Sequence, residues 1–252
     1  MSTHAGPPVL EIRHLTVSFG GLTALADVSL SLDGDQAIWG LVGPNGSGKT
    51  TLFNCVSGMI RPTGGQILVN GRPLRTGSPR AASRLGIGRT FQSPRLFERM
   101  SVLDNLLAAS RGERRPTQRA EELLELVEMT AHRRALAGQL SIGQKKLVEL
   151  ARVLMRRPAV VLLDEIAAGV HPRMVERIEG YLRTLRAQGV RFFLVEHDVE
   201  MVARLCERLF VLDRGRLIAE GPCQEVLRDP QVVSAYLGRP AGPAAEGARD
   251  AA

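Results

Sequence analysis

The stretch GPNGSGKTT at residues 43–51 constrains this chain more than any other. It follows the apolar run AIWGLV (37–42), which reads as a buried strand, and leads into TLFNCVSGM, which reads as a helix. Gly43-x-x-x-x-Gly48-Lys49-Thr50 between a strand and a helix has the spacing of a phosphate-binding loop. Glycines at 43, 46 and 48 let backbone N–H groups approach phosphate oxygens, and the positive end of the helix favours their charge. Lys49 suits the outer phosphates and Thr50 suits Mg²⁺, while Pro44, Asn45, Ser47 and Thr51 complete the loop. A bound nucleotide is expected.

Around this loop the pattern alternates. LTVSF (15–19) and DVSLSL (27–32) read as strands separated by turn signals. From about 94 to 157 the spacing becomes helical, with Ala120, Leu123, Leu124 and Val127 on one face and Leu147, Leu150, Ala151 and Leu154 on another. Strand and helix then alternate again. AVVLL (159–163) and RFFLV (191–195) read as buried strands around an amphipathic helix marked by Met174, Ile178, Tyr181, Leu182 and Leu185. RLFVL and RLIAEG flank the hairpin signal DRG. The rhythm implies an α/β domain with a mainly parallel sheet, spanning 9–238 and interrupted by a helical insert. The Pro/Gly-rich tail 239–252 and the first eight residues are expected to be disordered.

Composition excludes several classes. Cys55, Cys206 and Cys223 are odd in number and widely spaced, which fits neither a disulfide framework nor a zinc site. The net charge of +7 comes from dispersed arginines without a long basic block or many aromatics, so no nucleic-acid partner is expected. No apolar run reaches the ~18 residues of a membrane span, and the start lacks a signal peptide's apolar stretch. A cytoplasmic protein is expected, meeting a membrane only through partners.

Two further stretches carry chemistry. VVLLDE (160–165) ends an apolar run in two carboxylates at the carboxyl end of a buried strand, where ligands of open α/β sheets bind. On alternating strand faces, Asp164 is expected to serve Mg²⁺ through water, and Glu165 to act as general base on an attacking water. LSIGQKK (140–146) is a second glycine-bearing helix start. Ser141 and Gln144 have the spacing of a capping box. Gly143 costs up to about 1 kcal/mol against alanine in a helical turn, and is sensible where something must approach the backbone. With the Ser141 hydroxyl and the positive helix end it makes an anion site.

LSIGQ followed by KKLVELARVLM and VVLLDE resembles the signature and Walker B motifs of ABC ATPases, over essentially residues 9–238. The resemblance implies the P-loop NTPase fold of that family: a mainly parallel RecA-like sheet, an N-terminal antiparallel β portion and an inserted α-helical subdomain. It implies ATP and Mg²⁺ as cofactors and ATP hydrolysis as the activity. It also implies a second ATPase subunit, identical or homologous, paired head to tail so that Ser141, Gly143 and Gln144 close on the phosphate held by the neighbour. By the same resemblance Gln92 in RTFQ touches the metal and the attacking water, His197 in VEHD contacts the γ-phosphate, and Phe19 stacks on adenine. For Phe19 a second reading stays open, because Leu15, Val17 and Phe19 also form a period-two core stripe.

FGGLTAL, FNCVSGMIRPTGG, RTFQSPRLFERMSVLDNLL, AAGVHP and DPQVVSAYLG resemble the ATP-binding subunits of branched-chain amino acid importers, within the hydrophobic amino acid and amide group. This implies transmembrane permease subunits, indirectly a solute-binding protein, and a position on the inner face of the cell membrane. Three positions depart from the family pattern. Ile142 fills the first glycine slot of the signature, Ile166 the proline slot after Glu165, and His171 a slot usually held by Asp or Asn. Ile166 frees φ and adds an N–H, so a looser loop is expected there. An ABC exporter and a slowly hydrolysing regulatory switch share the same motifs. A chromosome or repair ATPase would need long heptad arms, which this sequence lacks.

Overall fold

The computed structural model describes residues 7–34 and 37–237; the expected disorder at 239–252 and 1–6 lies outside them. The N-terminal strands are β1 (Leu10–Phe19), β2 (Leu22–Leu32) and β3 (Ile38–Val42), followed by α1 (Lys49–Val56). Next come β4 (Gly64–Val69), β5 (Arg72–Pro73), α2 (Pro79–Arg84) and β6 (Ile87–Arg89). The helical stretch holds α3 (Val102–Leu107), α4 (Pro116–Leu126) and α5 (Ile142–Leu154). The chain then forms β7 (Val160–Asp164), α6 (Pro172–Ala187), β8 (Phe192–Val195) and α7 (Val199–Leu205). It ends in β9 (Arg208–Asp213), β10 (Arg216–Pro222), α8 (Cys223–Val226) and α9 (Pro230–Leu237).

One sheet is antiparallel in the order β2-β1-β4-β5; the other runs β10-β9-β3-β8-β7-β6. In the second, β9, β3, β8, β7 and β6 are parallel and β10 is an antiparallel edge. The fold is the expected P-loop α/β class. Its parallel strands are buried on both faces, which is why they read as unbroken apolar runs. Alternation divides them between two cores. Trp39, Leu41, Leu162, Phe193, Val195 and Phe210 pack toward α1 and the antiparallel sheet. Ile38, Val42, Val161, Leu163, Leu194 and Val211 pack toward α5, α6 and α7. Phe53 of α1 meets Phe193 with ring centroids 5.1 Å apart, so the helix that follows the phosphate loop is anchored to the sheet.

Ala120, Leu123, Leu124 and Val127, with Leu147, Leu150, Ala151 and Leu154, are all buried in the second core. β4, β5, α2 and β6 occupy the segment between residues 60 and 94, where the sequence analysis placed no element.

Candidate functional site

The strand order sets the site. Moving across β9-β3-β8-β7-β6, the carboxyl ends carry Arg214, the 43–51 loop, His197, Asp164 with Glu165, and Gln92. Open α/β sheets bind ligands along this rim, beside the strand where connections reverse direction.

The loop is held open by its own chain. Gly43, Gly46 and Gly48 have φ of 151°, 78° and 104°. A Cβ at Gly43 would lie 2.0 Å from the Leu212 carbonyl oxygen, and one at Gly48 would lie 2.8 Å from that of Ala24. Gly46 instead faces open space. Lys49 is 6% exposed, and its Nζ donates to the carbonyls of Gly43 (2.7 Å) and Pro44 (3.0 Å), spanning the loop. Burial lowers its pKa, opposed by the charge of Glu165. The β9–β10 turn braces the loop from outside, where the Gly215 N–H donates to the Ser47 carbonyl (3.0 Å). In the sequence this turn shows only as the hairpin signal DRG.

A cavity of about 580 Å³ opens here, lined by the loop, Phe19, Glu165, His197 and Arg214. That volume suits a nucleotide. Ser47 Oγ is buried without a hydrogen-bond partner in the chain, and Thr50 is exposed to the cavity, so the cradle still offers polar groups to a ligand. Phe19 is 50% exposed while Leu15 and Val17 are fully covered. The core stripe therefore ends at Val17, and Phe19 stands at the cavity rim with a ring free to cover a base.

Glu165 sits just beyond β7 with φ 49°, so it does not continue the strand's alternation as the sequence analysis assumed. This left-handed turn carries the side chain toward the cavity while the backbone N–H still bonds the Val195 carbonyl at 2.9 Å. Its carboxylate is gripped on both oxygens. Gln92 Nε2 donates to Oε2 at 2.6 Å, and His197 Nε2 lies 3.0 Å from Oε1, which requires the N–H tautomer at Nε2. Residues far apart in sequence thus meet around one carboxylate.

Asp164 is 8% exposed, and Arg89 Nη2 pairs with its Oδ2 at 2.8 Å. The same guanidinium donates through Nη1 to Asn54 Oδ1 and Ser57 Oγ, both at 2.7 Å, and lies 5.1 Å from the Phe91 ring centroid. Arg89 therefore ties the Asp164 carboxylate to α1. No spacing in the sequence marks Arg89, although it stands three residues before Gln92.

In the loop after Glu165, Ile166 and its neighbours are held by packing and hydrogen bonds. The Ile166 side chain is 2% exposed in the core, and the Ala167 N–H donates to Glu196 Oε1 at 3.0 Å. Burial raises the Glu196 carboxyl to about 7. Lys146 Nζ donates to the carbonyls of Glu165 (2.7 Å) and Ala168 (2.8 Å). These contacts tie down the backbone at 165–168. His171 caps α6, its Nδ1 accepting the Arg173 N–H at 3.3 Å.

Ser141 and Gln144 form the expected capping box at the start of α5. Gly143 has a nearer reason than a ligand: a Cβ there would lie 2.8 Å from Met174 Cγ and 3.4 Å from Val170 Cγ1. Its requirement for glycine is met within the chain. Ser141, Gly143 and Gln144 do not line the cavity around the 43–51 loop, whereas Phe19, Thr50, Glu165 and His197 do.

Residues 25–168 match the ABC transporter family, and residues 216–242 match the branched-chain amino acid ATP-binding cassette transporters. The high-affinity branched-chain amino acid transport ATP-binding protein of Pseudomonas aeruginosa is 36% identical over 251 residues, covering 92% of this chain and 98% of its own. A probable protein of the same kind from Archaeoglobus fulgidus is 35% identical over 246 residues, covering 91% and 95%. A solved ATP-binding cassette of an ABC transporter, in its ADP conformation, shares the fold with a TM-score of 0.84 at 32% identity, covering 92% of this chain and 99% of that one. With a nucleotide cradle, paired acidic residues and a capped signature helix on that fold, this chain belongs to the ABC transporter family, as its ATP-binding, ATP-hydrolysing cassette.

Proposed function

We propose that this chain powers an importer for branched-chain or other hydrophobic amino acids or amides, working as one of two ATPase subunits paired head to tail. The observation that carries the mechanism is the Glu165 carboxylate, held between Gln92 and His197 at the edge of the nucleotide cradle. A carboxylate fixed on both oxygens and facing the phosphate loop is positioned as general base for a water attacking in line with the leaving phosphate. Gln92 orients that base, and His197 meets the γ-phosphate when ATP enters. The cradle binds the rest of the nucleotide, with Phe19 against the base and Lys49 on the outer phosphates. Asp164, Thr50 and the Gln92 carbonyl offer the hard oxygen donors that Mg²⁺ prefers, and the ion, when bound, offsets phosphate charge.

The head-to-tail pairing draws support from what the cradle lacks. Ser141 and Gln144 are exposed or half-exposed at a helix start outside it, where the Ser141 hydroxyl and the positive end of α5 could meet the phosphate of an identical or homologous neighbour, with Gly143 packed behind them on Met174. Among the described residues no helix is long and apolar enough to cross a membrane. Contact with the membrane would come through permease subunits, which in turn meet a solute-binding protein. A groove of about 380 Å³ beside the Gln92 loop, lined by Met59, Phe91, Arg95, Arg152 and Arg156, suits a permease helix. The amino acid class is the one that the relatives' names carry, and the import direction is what the sequence resemblance implies.

Glu165→Gln tests the reading: it is expected to abolish steady-state hydrolysis, preserve ATP binding and accumulate an ATP-dependent dimer in sedimentation. Undiminished turnover would remove Glu165 from its role, and a variant that stays monomeric with ATP would remove the pairing.

A further inference from the structure

We propose that α5 works as a rigid crossbar, with Lys146 and Glu149 as positioning residues that hold this chain's own Glu165 and Gln92 loops in register with the Ser141–Gln144 turn. The two side chains lie three residues apart on one helix face, and they are 2% and 1% exposed. Lys146 reaches the carbonyls of Glu165 and Ala168, at 2.7 and 2.8 Å. Glu149 reaches the other loop: Oε2 accepts the Phe91 N–H at 3.1 Å and Oε1 accepts the Arg95 N–H at 2.8 Å. Its two oxygens thus bracket Gln92. The loops so gripped are those whose side chains meet as Gln92 and Glu165.

Burying these charges is costly, and the cost shows as a lowered Lys146 and a raised Glu149, each driven by loss of water. Apolar residues of similar volume would pack there at lower cost. What the charged groups supply is a directional hold on the backbone of two irregular segments. α5 runs unbroken from Ile142 to Leu154, so a displacement of its first turn reaches both loops together. The inference rests on the head-to-tail reading for its consequence and goes beyond it: a neighbour's phosphate docking at Ser141 would be reported through α5 to this chain's own pocket. Two sites joined by one body respond cooperatively.

The test uses the full chain and its Lys146→Met, Lys146→Arg, Glu149→Ala and Glu149→Gln variants, read by amide exchange, nucleotide affinity and the ATP dependence of turnover. In the nucleotide-free chain, the amides of Phe91 and Arg95 are expected to exchange slowly, and Glu149→Ala to expose them. Lys146→Met is expected to speed exchange at both 165–168 and 91–95, although Lys146 touches only the first. ATP affinity should stay within about twofold while kcat falls roughly ten- to a hundredfold, with the Hill coefficient moving toward one. Lys146→Arg, which retains the charge and the donors, should recover much of kcat, whereas Glu149→Gln, whose single carbonyl oxygen can replace only one of the two acceptors, should recover only part of it. Exchange at 91–95 unchanged in Lys146→Met, or kcat and cooperativity at wild-type values in folded variants, would overturn the crossbar. Because the exchange measurement needs no neighbour, it fails separately from the dimerisation test on Glu165→Gln.

Discussion

Replacing Arg89 with methionine probes how the buried Asp164 carboxylate is compensated beneath the sheet rim. The change removes one half of a pair whose side chains are 7% and 11% exposed. Asn54 Oδ1 and Ser57 Oγ lose the same donor group, since both bond Arg89 Nη1. Removing one partner of a buried ion pair costs about 3–5 kcal/mol, because the remaining charge is left without compensation. For a chain of this size each kcal/mol shifts the melting temperature by roughly 2–4 °C. A fall of roughly 6–20 °C is therefore expected by circular dichroism in metal-free, nucleotide-free buffer. Adding Asp164→Asn to the Arg89→Met chain removes the stranded charge and should recover more than half of that loss. A single variant melting within about 2 °C of the wild type, or a double variant melting lower still, would refute the reasoning.

Glu196 makes stability depend on pH. Burial raises its carboxyl to about 7, so between the unfolded value of roughly 4.3 and 7 the folded chain holds a proton that the unfolded chain has released. Stability from this group is lost as pH rises through that window and levels off above it. Glu196→Gln keeps an acceptor for the Ala167 N–H and should stabilise the chain at pH 8 by at most about 4 kcal/mol, with little effect near pH 4, in denaturant titrations; an equal gain at both pH values would contradict this. Phe19→Ala should weaken ATP binding by about three- to tenfold with almost no change in melting temperature, because the ring is half exposed and stacking contributes about 1 kcal/mol. Binding at wild-type strength would return Phe19 to a surface role. Gly143→Ala should gain up to about 1 kcal/mol of helix propensity and lose about 1–3 kcal/mol by crowding Met174, so Met174→Ala should make the same substitution more favourable in a double-mutant cycle.

Much of this molecule is written locally. The 43–51 loop, the unbroken apolar strands β3, β7 and β8, and the capping box at Ser141 depend on neighbours a few residues away, so periodicity and spacing reveal them. β6 could not be read this way: it is three residues long with a glycine at its centre, where a Cβ would lie 2.6 Å from Val153 Cγ1. β4 carries Gly64 and Gly65 within its span and gains its place from pairing with β1.

The site divides along the same line. Glu165, Lys49 and Thr50 announce themselves because their chemistry needs fixed spacing from a strand end or a helix start. Arg89 meets Asp164 across 75 residues and Glu149 meets Phe91 across 58, contacts created by strand order and helix packing. Lys146 and Glu149 do leave a trace, as charges beside the apolar stripe of Leu147, Leu150 and Leu154. That trace tells that something buried must compensate them, but a hydrogen bond is a short-range, directional contact, and its partner exists only once distant segments have been brought within about 3 Å.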